Sequence, residues 1–363
     1  MNPIATTRSS RPRPLPPVPD LTPAVGGTSA APFCNLLLPT GAQARGRTLP
    51  GRKVVIVGCG AVGMACAVAI LHRGCQEELV LVDVAHDRLE GEVMDLCHGL
   101  PFLPRTDLRA GGVEDEGRDA DLVVITAGVA QQPGQSRREL IERNADLFRR
   151  LVPPIALHCP RAVLLVVSNP VDVLTHIAGQ LSGFPAHRVI GSGTVLDSAR
   201  FRMAISRRLG IDPHDVQAWV IGEHGDSEVP VWSRVVVAGS GLVDGGWEGS
   251  RTLADPELQE LFHDEVRQAA YEIIRLKGST SWAIGLATAE IVEAVLRSKD
   301  QMLTVSSRSH GHYGLPDVCL SLPTIVNDSG AAALVQMALT DKEMGQLRHS
   351  AEVLRGMLDE AGF

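Results

Sequence analysis

The stretch Lys53-Val54-Val55-Ile56-Val57-Gly58-Cys59-Gly60-Ala61-Val62-Gly63 decides the fold. Its four β-branched residues in a row have the pattern of a strand buried on both faces. Three glycines spaced G-x-G-x-x-G follow at once, and a helical stretch runs from about Val62 to His72. At such a helix start the free N–H groups and the helix dipole favour a pyrophosphate. Gly58 permits a tight turn, Gly60 lets phosphates approach, and Gly63 lets helix and strand pack closely. Val62, inside the turn, belongs to the same candidate cofactor site.

Outward from this unit, Leu79 to Asp83 forms a second buried strand, ending twenty residues beyond Gly63. A carboxylate there can accept hydrogen bonds from both ribose hydroxyls and repels a 2′-phosphate, which points to NAD rather than NADP. The alternative for Asp83 is a solvated acid at a strand end, and the cofactor reading is favoured over it. Residues 121–126 and 163–167 are two further apolar runs. Strands alternating with helices predict an α/β fold with a doubly wound parallel (Rossmann) sheet. After Gly191 the rhythm changes, with helical stretches near 196–208, 254–276, 282–297 and 341–360 and β-like runs near 215–221, 301–308 and 316–322. That change predicts an α+β catalytic domain over 192–363, following a nucleotide-binding domain over 51–191.

Residues 1–50 carry five arginines and one acid, about +4, and are rich in Pro, Ser and Thr. With so little apolar surface to bury, they are expected to be a disordered extension; an organelle address or a misplaced start are the alternatives. The whole chain has a net charge of −8, so the remainder carries about −12. An acidic body argues against nucleic acid or an anionic membrane as partner. No run of eighteen apolar residues is present, so no bilayer span is expected. Cys34, Cys59, Cys66, Cys75, Cys97, Cys159 and Cys319 form neither CxxC nor a metal-type spacing. They read as buried thiols of a reducing compartment, which favours the cytoplasm, with no metal site.

Five further motifs, in order, resemble the lactate/malate dehydrogenase family. They are the run from Ala127 to Leu140, Ser168-Asn169-Pro170-Val171-Asp172, Leu196-Asp197-Ser198-Ala199-Arg200, Gly222-Glu223-His224-Gly225-Asp226-Ser227, and Gly278 to Gly285. The likeness runs from about residue 53 to the C-terminus. Singly, His224 would read as a surface histidine, Arg137 as a solvated helix start and Asp197 as an N-cap. Together they carry a reaction. The resemblance implies NAD-dependent hydride transfer to a 2-oxo acid, with His224 as proton donor and Asp197 fixing its tautomer. Arg200, three residues after Asp197 on one helix face, would grip the substrate carboxylate with two parallel hydrogen bonds. Arg137 would polarise the carbonyl, Asn169 would hydrogen-bond near the reacting oxygen, and Ile284 would wall the nicotinamide.

Within the family, the residue six before the catalytic arginine sets substrate choice. Here it is the neutral Gln131, which suits the methyl group of pyruvate and leaves the second carboxylate of oxaloacetate unpaired. Thr280 would bound the pocket on its far side. The expected reaction is therefore the interconversion of pyruvate and L-lactate. A malate or broad-specificity 2-hydroxy-acid enzyme, or a silent NAD-binding scaffold, are the alternatives. Ala130 and Gln135 depart from the usual loop and would weaken its closure. The resemblance also implies a homotetramer. Some bacterial relatives are activated by fructose 1,6-bisphosphate; Arg202 matches one of its ligands, but Gln217 stands where the second is a histidine.

Overall fold

In a computed structural model the described residues are 52–129, 137–242 and 253–363. The proposed disordered extension and the loop residues Ala130, Gln131 and Gln135 lie outside them. The first half runs β1 (Lys53–Val57), α1 (Ala61–Arg73), β2 (Glu78–Val82), α2 (His86–Gly99), β3 (Asp107–Ala110), α3 (Val113–Glu116), β4 (Leu122–Ile125), α4 (Arg137–His158), β5 (Val163–Val166), α5 (Val171–Ser182) and β6 (Val189–Gly191). The second half runs α6 (Val195–Leu209), β7 (Val216–Gln217), β8 (Val220–Ile221), β9 (Val229–Pro230), β10 (Val236–Val237), β11 (Ser240–Gly241), α7 (Pro256–Lys277), α8 (Trp282–Leu296), β12 (Gln301–Arg308), β13 (Cys319–Asn327), β14 (Gly330–Leu334) and α9 (Asp341–Glu360).

One sheet of nine strands has the order β14-β13-β12-β6-β5-β4-β1-β2-β3. Its segment from β3 to β6 is parallel throughout. The order reverses between β1 and β4, and ligands of such sheets bind at the carboxyl ends of the strands beside that point. The fold is the mixed α/β arrangement expected, with one difference of detail. β12 joins the edge of β6 in antiparallel fashion at Ser306 and Gly191, so the late strands extend the first sheet.

β1 shows why its sequence is uniformly apolar. Val55 and Val57 face a core shared with α4, α5 and α9, where Phe148, Leu174 and Leu354 are buried. Val54 and Ile56 face the other side, against Ile70 of α1 and Val292 of α8. Each fully buried side chain of this kind contributes about 1.5–3 kcal/mol, which anchors the strand that leads into the glycine turn. A third cluster, containing Phe201, Ile205, Phe262 and Val266, packs α6 on α7; the rings of Phe201 and Trp232 meet edge to face at 4.6 Å.

α1 and α8 lie unusually close. A Cβ on Gly285 would sit 2.6 Å from the Ala65 carbonyl oxygen, so glycine is needed for the approach. The pair is locked by Arg73, whose guanidinium meets Glu290 and the buried Glu293 at 2.6 Å each. This contact sets Ile284 against the same apolar cluster that Val62 of the glycine turn packs on.

Candidate active site

The glycine turn is built as its spacing predicts, for reasons that differ at each position. Gly58 has φ +98°, and a Cβ there would lie 2.4 Å from the Ala127 nitrogen. A Cβ on Gly63 would lie 1.9 Å from the Gly58 carbonyl oxygen, whereas one on Gly60 would meet nothing within 4 Å. Gly60 and Ala61 are exposed, and no side chain caps the start of α1. The turn thus presents open backbone and uncapped N–H groups, a cradle that fits the pyrophosphate of a dinucleotide.

Asp83 stands just beyond β2, half-buried, and is tied into the turn. Its Oδ2 accepts the Cys59 N–H at 2.6 Å, and its Oδ1 accepts the Ala85 N–H at 2.9 Å. Each oxygen keeps a lone pair for a ribose hydroxyl. Val62 and Ile284, both half-buried, pack against the same apolar cluster. Asp83→Asn keeps the acceptor for Cys59 but removes the charge. The preference for NADH over NADPH should fall about 10–100-fold, read as the ratio of kcat/KM values. An unchanged ratio would place cofactor choice elsewhere.

The second group of residues converges on a cavity of about 410 Å³ lined by Asn169, Asp197, Arg200, His224, Glu228 and Arg267, among others. Asp197, on the first turn of α6, is 2% exposed. Its Oδ2 lies 2.5 Å from His224 Nδ1, and its Oδ1 accepts from Arg200 Nη1 at 2.7 Å. The one carboxylate therefore orients both the imidazole and the guanidinium. His224 Nε2 is left as the nitrogen available to a substrate.

The electrostatics follow from this geometry. Burial alone would raise the Asp197 carboxyl, but the His224 and Arg200 charges and hydrogen bonds hold it below the usual carboxylate range. Burial alone would lower the His224 imidazole; the charge and hydrogen bond of Asp197, joined by Asp172 and Glu228, lift it to about 9. Glu228 is pushed up to about 9 by burial and then by the Asp197 charge. The histidine is thus charged at neutral pH, and Glu228 is largely protonated.

The segment carrying His224 is held from several sides. Gly222 exchanges two 2.8 Å backbone hydrogen bonds with Ser321. Glu223 N donates to Ser350 Oγ at 2.7 Å, and His224 N donates to Asp172 Oδ2 at the same distance. Buried Asn144 fixes Val129 to α4: its Oδ1 accepts the Val129 N–H at 2.8 Å, and its Nδ2 donates to the carbonyls of Val129 and Leu140. Leu140 lines the cavity one turn after Arg137, the residue that opens α4.

Asn169, Asp197, Arg200 and His224 are therefore brought together. Thr280 lines a neighbouring groove of about 520 Å³ that meets the cavity at Arg200, and it does not border His224. Gln131 lies outside the described residues. Arg202 is half-buried on α6 with its Nε donating to the Ser198 carbonyl at 3.3 Å, while Gln217 is exposed on β7. Sequence reasoning assigned nothing to Asp172, Asn144 or Ser350. Asp172 stood inside a quoted motif, but neither Asn144 nor Ser350 has a local signal, because their partners are distant in the chain.

A doubly wound sheet with an open glycine turn, beside a histidine held by aspartate and an arginine sharing it, defines an NAD-linked dehydrogenase. Two family models match the chain: residues 52–191 match the NAD binding domain of lactate/malate dehydrogenase, and residues 194–362 its alpha/beta C-terminal domain. The chain belongs to the lactate/malate dehydrogenase family. It is 49% identical over 309 residues to an L-lactate dehydrogenase of Synechococcus sp. (strain JA-3-3Ab), covering 85% of this chain and 98% of the relative. To the L-lactate dehydrogenase B-B chain of Danio rerio it is 47% identical over 306 residues, 84% and 91% of the two chains. The crystal structure of a lactate dehydrogenase from a Medee basin deep-sea metagenome library superposes with a TM-score of 0.82 at 41% identity, covering 87% and 100%.

Proposed function

We propose that this chain catalyses the reversible reduction of pyruvate to L-lactate with NADH, using residues 51–191 to bind the cofactor and 192–363 for the reaction. The observation that carries the reading is the single buried carboxylate of Asp197 holding His224 and Arg200 toward one cavity. NADH supplies the hydride. Arg200, with donors left after its bond to Asp197, clamps the substrate carboxylate. His224 gives the Nε2 proton to the carbonyl oxygen as charge develops there, while Asp197 keeps Nδ1 protonated and stabilises the imidazolium beforehand. Arg137 polarises the carbonyl, and Asn169 steadies the same oxygen. Ile284 and Val62 shield the nicotinamide side, Gln131 admits the methyl group, and Thr280 limits larger groups from the groove beside Arg200.

The first test follows NADH absorbance with pyruvate and with oxaloacetate, each with and without fructose 1,6-bisphosphate. Strong preference for pyruvate is expected. Preference for oxaloacetate would replace the substrate assignment and keep the family. The sugar bisphosphate is expected to have little effect, because exposed Gln217 offers no cation beside Arg202.

The pH dependence has a definite sign. Reduction needs protonated His224, so kcat/KM for pyruvate should hold through neutral pH and fall as pH rises through about 9. Oxidation of lactate needs the neutral ring and should rise over the same interval. A pyruvate limb near pH 6.5, the unperturbed histidine value, would show that Asp197 does not support the ring as inferred.

The expected assembly is a homotetramer. Leu276, Trp282 and Leu286 are each at least 60% exposed on the single chain, which is apolar area that subunit contacts would cover. A cytoplasmic setting agrees with the free thiols at Cys59, Cys66, Cys75, Cys97, Cys159 and Cys319. Among the described residues no helix is long and apolar enough to cross a membrane.

A further inference from the structure

Two buried groups beside the substrate cavity face each other without a hydrogen bond, and the reaction above gives neither a task. Glu228 is 5% exposed and borders both the cavity and an adjoining groove of about 510 Å³. His263, on α7, is 8% exposed and lines that groove. Glu228 Oε1 and His263 Nε2 stand 3.9 Å apart, and neither atom has a hydrogen-bond partner. The main-chain carbonyl of Glu228 accepts a hydrogen bond from the same ring. Nδ1 is therefore the donor, and in the neutral ring Nε2 presents a bare lone pair to the carboxyl. A carboxylate there would bury two acceptors against each other, at the cost of an unpaired buried charge. One proton between them removes the conflict, since an approach of about 1 Å closes an O–H···N hydrogen bond.

We propose that Glu228 and His263 hold one proton between them, on the carboxyl, and that this proton keeps the wall of the substrate cavity uncharged so that an anionic 2-oxo or 2-hydroxy acid can reach Arg200. The inference rests on the reaction proposed above. The charged or titratable groups around the pair are Asp197 and Arg200 from α6, His224 and Asp226 from the segment of Glu228, Glu260, Asp264 and Arg267 from α7, and Lys342 and His349 from α9. Their arrangement decides where the proton lies. Burial, and then the Asp197 charge, push the Glu228 carboxyl up to about 9. Burial, and then the Arg267 charge, hold the His263 imidazole below its ordinary value. A second anion is disfavoured on one partner and a cation on the other, so the neutral acid faces the neutral ring.

The lactate direction separates this proton from that of His224, because the two act with opposite signs. Lactate binds to the neutral His224 ring, so its KM should fall as pH rises, whereas ionised Glu228 would repel the lactate carboxylate and raise it. Glu228→Gln keeps an N–H donor for His263 and cannot ionise. The KM for lactate of the unaltered protein, divided by that of Glu228→Gln, should grow about five- to tenfold between neutral pH and about pH 10.5, the scale of one like charge at close range. A ratio that stays constant over this interval would overturn the inference. The direct readout is the His263 ring in protein carrying 15N-labelled histidine, its signals assigned by their disappearance in His263→Gln. The ring should be neutral at neutral pH, with its proton on Nδ1. A ring charged there would put the proton on His263, leave Glu228 an anion and equally overturn the inference. If Glu228→Gln does not fold, the ring of the unaltered protein decides alone. If the unaltered protein oxidises no 2-hydroxy acid, the activity assignment fails while the ring still reports where the proton lies.

Discussion

Replacing Asp197 by asparagine should lower kcat for pyruvate reduction by about 10³–10⁴-fold, the scale of losing the acid that orients a catalytic histidine. Three effects combine. The carboxamide cannot stabilise the imidazolium by charge, so the ring returns toward the low pKa that burial dictates. Its amide can also present an N–H to His224 Nδ1, selecting the neutral tautomer that carries its proton on Nε2, where it is a far weaker acid than on the imidazolium. Arg200 then loses the carboxylate that holds it at 2.7 Å, so KM for pyruvate should rise along with the fall in kcat. NADH binding, followed by fluorescence titration, should be unchanged, because the glycine turn and Asp83 share no hydrogen bond with Asp197. A loss smaller than tenfold, with cofactor binding intact, would show that His224 does not depend on this partner.

Much of this could be read from sequence because it is written locally. The β1–turn–α1 unit is a contiguous pattern in which strand, glycines and helix each obey short-range rules, and the structure reproduces it residue by residue. Asp197 and Arg200 share a helix face by spacing alone. β3 and β6 escaped notice. β3 is the edge strand Asp107–Ala110, with two charged residues in four, and β6 is three residues long and ends in glycine. Neither has the length or the alternation that marks a strand. The attachment of β12 to β6 was hidden for another reason, since its pairing joins residues more than a hundred positions apart. The same holds at the site. The hydrogen bonds that the main-chain N–H groups of His224, Glu223 and Val129 donate to Asp172, Ser350 and Asn144 are tertiary facts with no periodic signature. Sequence pattern located the groups that touch substrate, but not those that hold them still.

The largest change in specificity should come from Gln131→Arg, which is expected to reverse the preference from pyruvate to oxaloacetate. Gln131 precedes Arg137 by six residues and lies outside the described part of the structure; the charges of the cavity itself set the expectation. Among the described residues, two arginines line that cavity. Arg200 is committed to the carboxylate that every 2-oxo acid carries. Arg267 already pairs with Glu260 at 3.1 Å and with Asp264, so its charge is largely spent. Among the described residues a second substrate carboxylate therefore meets no free cation, and it lies beside Asp226. An unpaired charge in such a site costs several kcal/mol. An arginine at position 131 would supply the missing partner with two parallel hydrogen bonds, while leaving its own charge unpaired when pyruvate binds. Each 1.4 kcal/mol is tenfold, so about 4 kcal/mol across the two substrates predicts a change on the order of 10³ in the ratio of their kcat/KM values. Measured side by side for the two enzymes, a ratio that moves less than tenfold would mean that position 131 does not face the substrate. Specificity would then have to be sought in the groove of Thr280 and Trp282 that meets the cavity at Arg200.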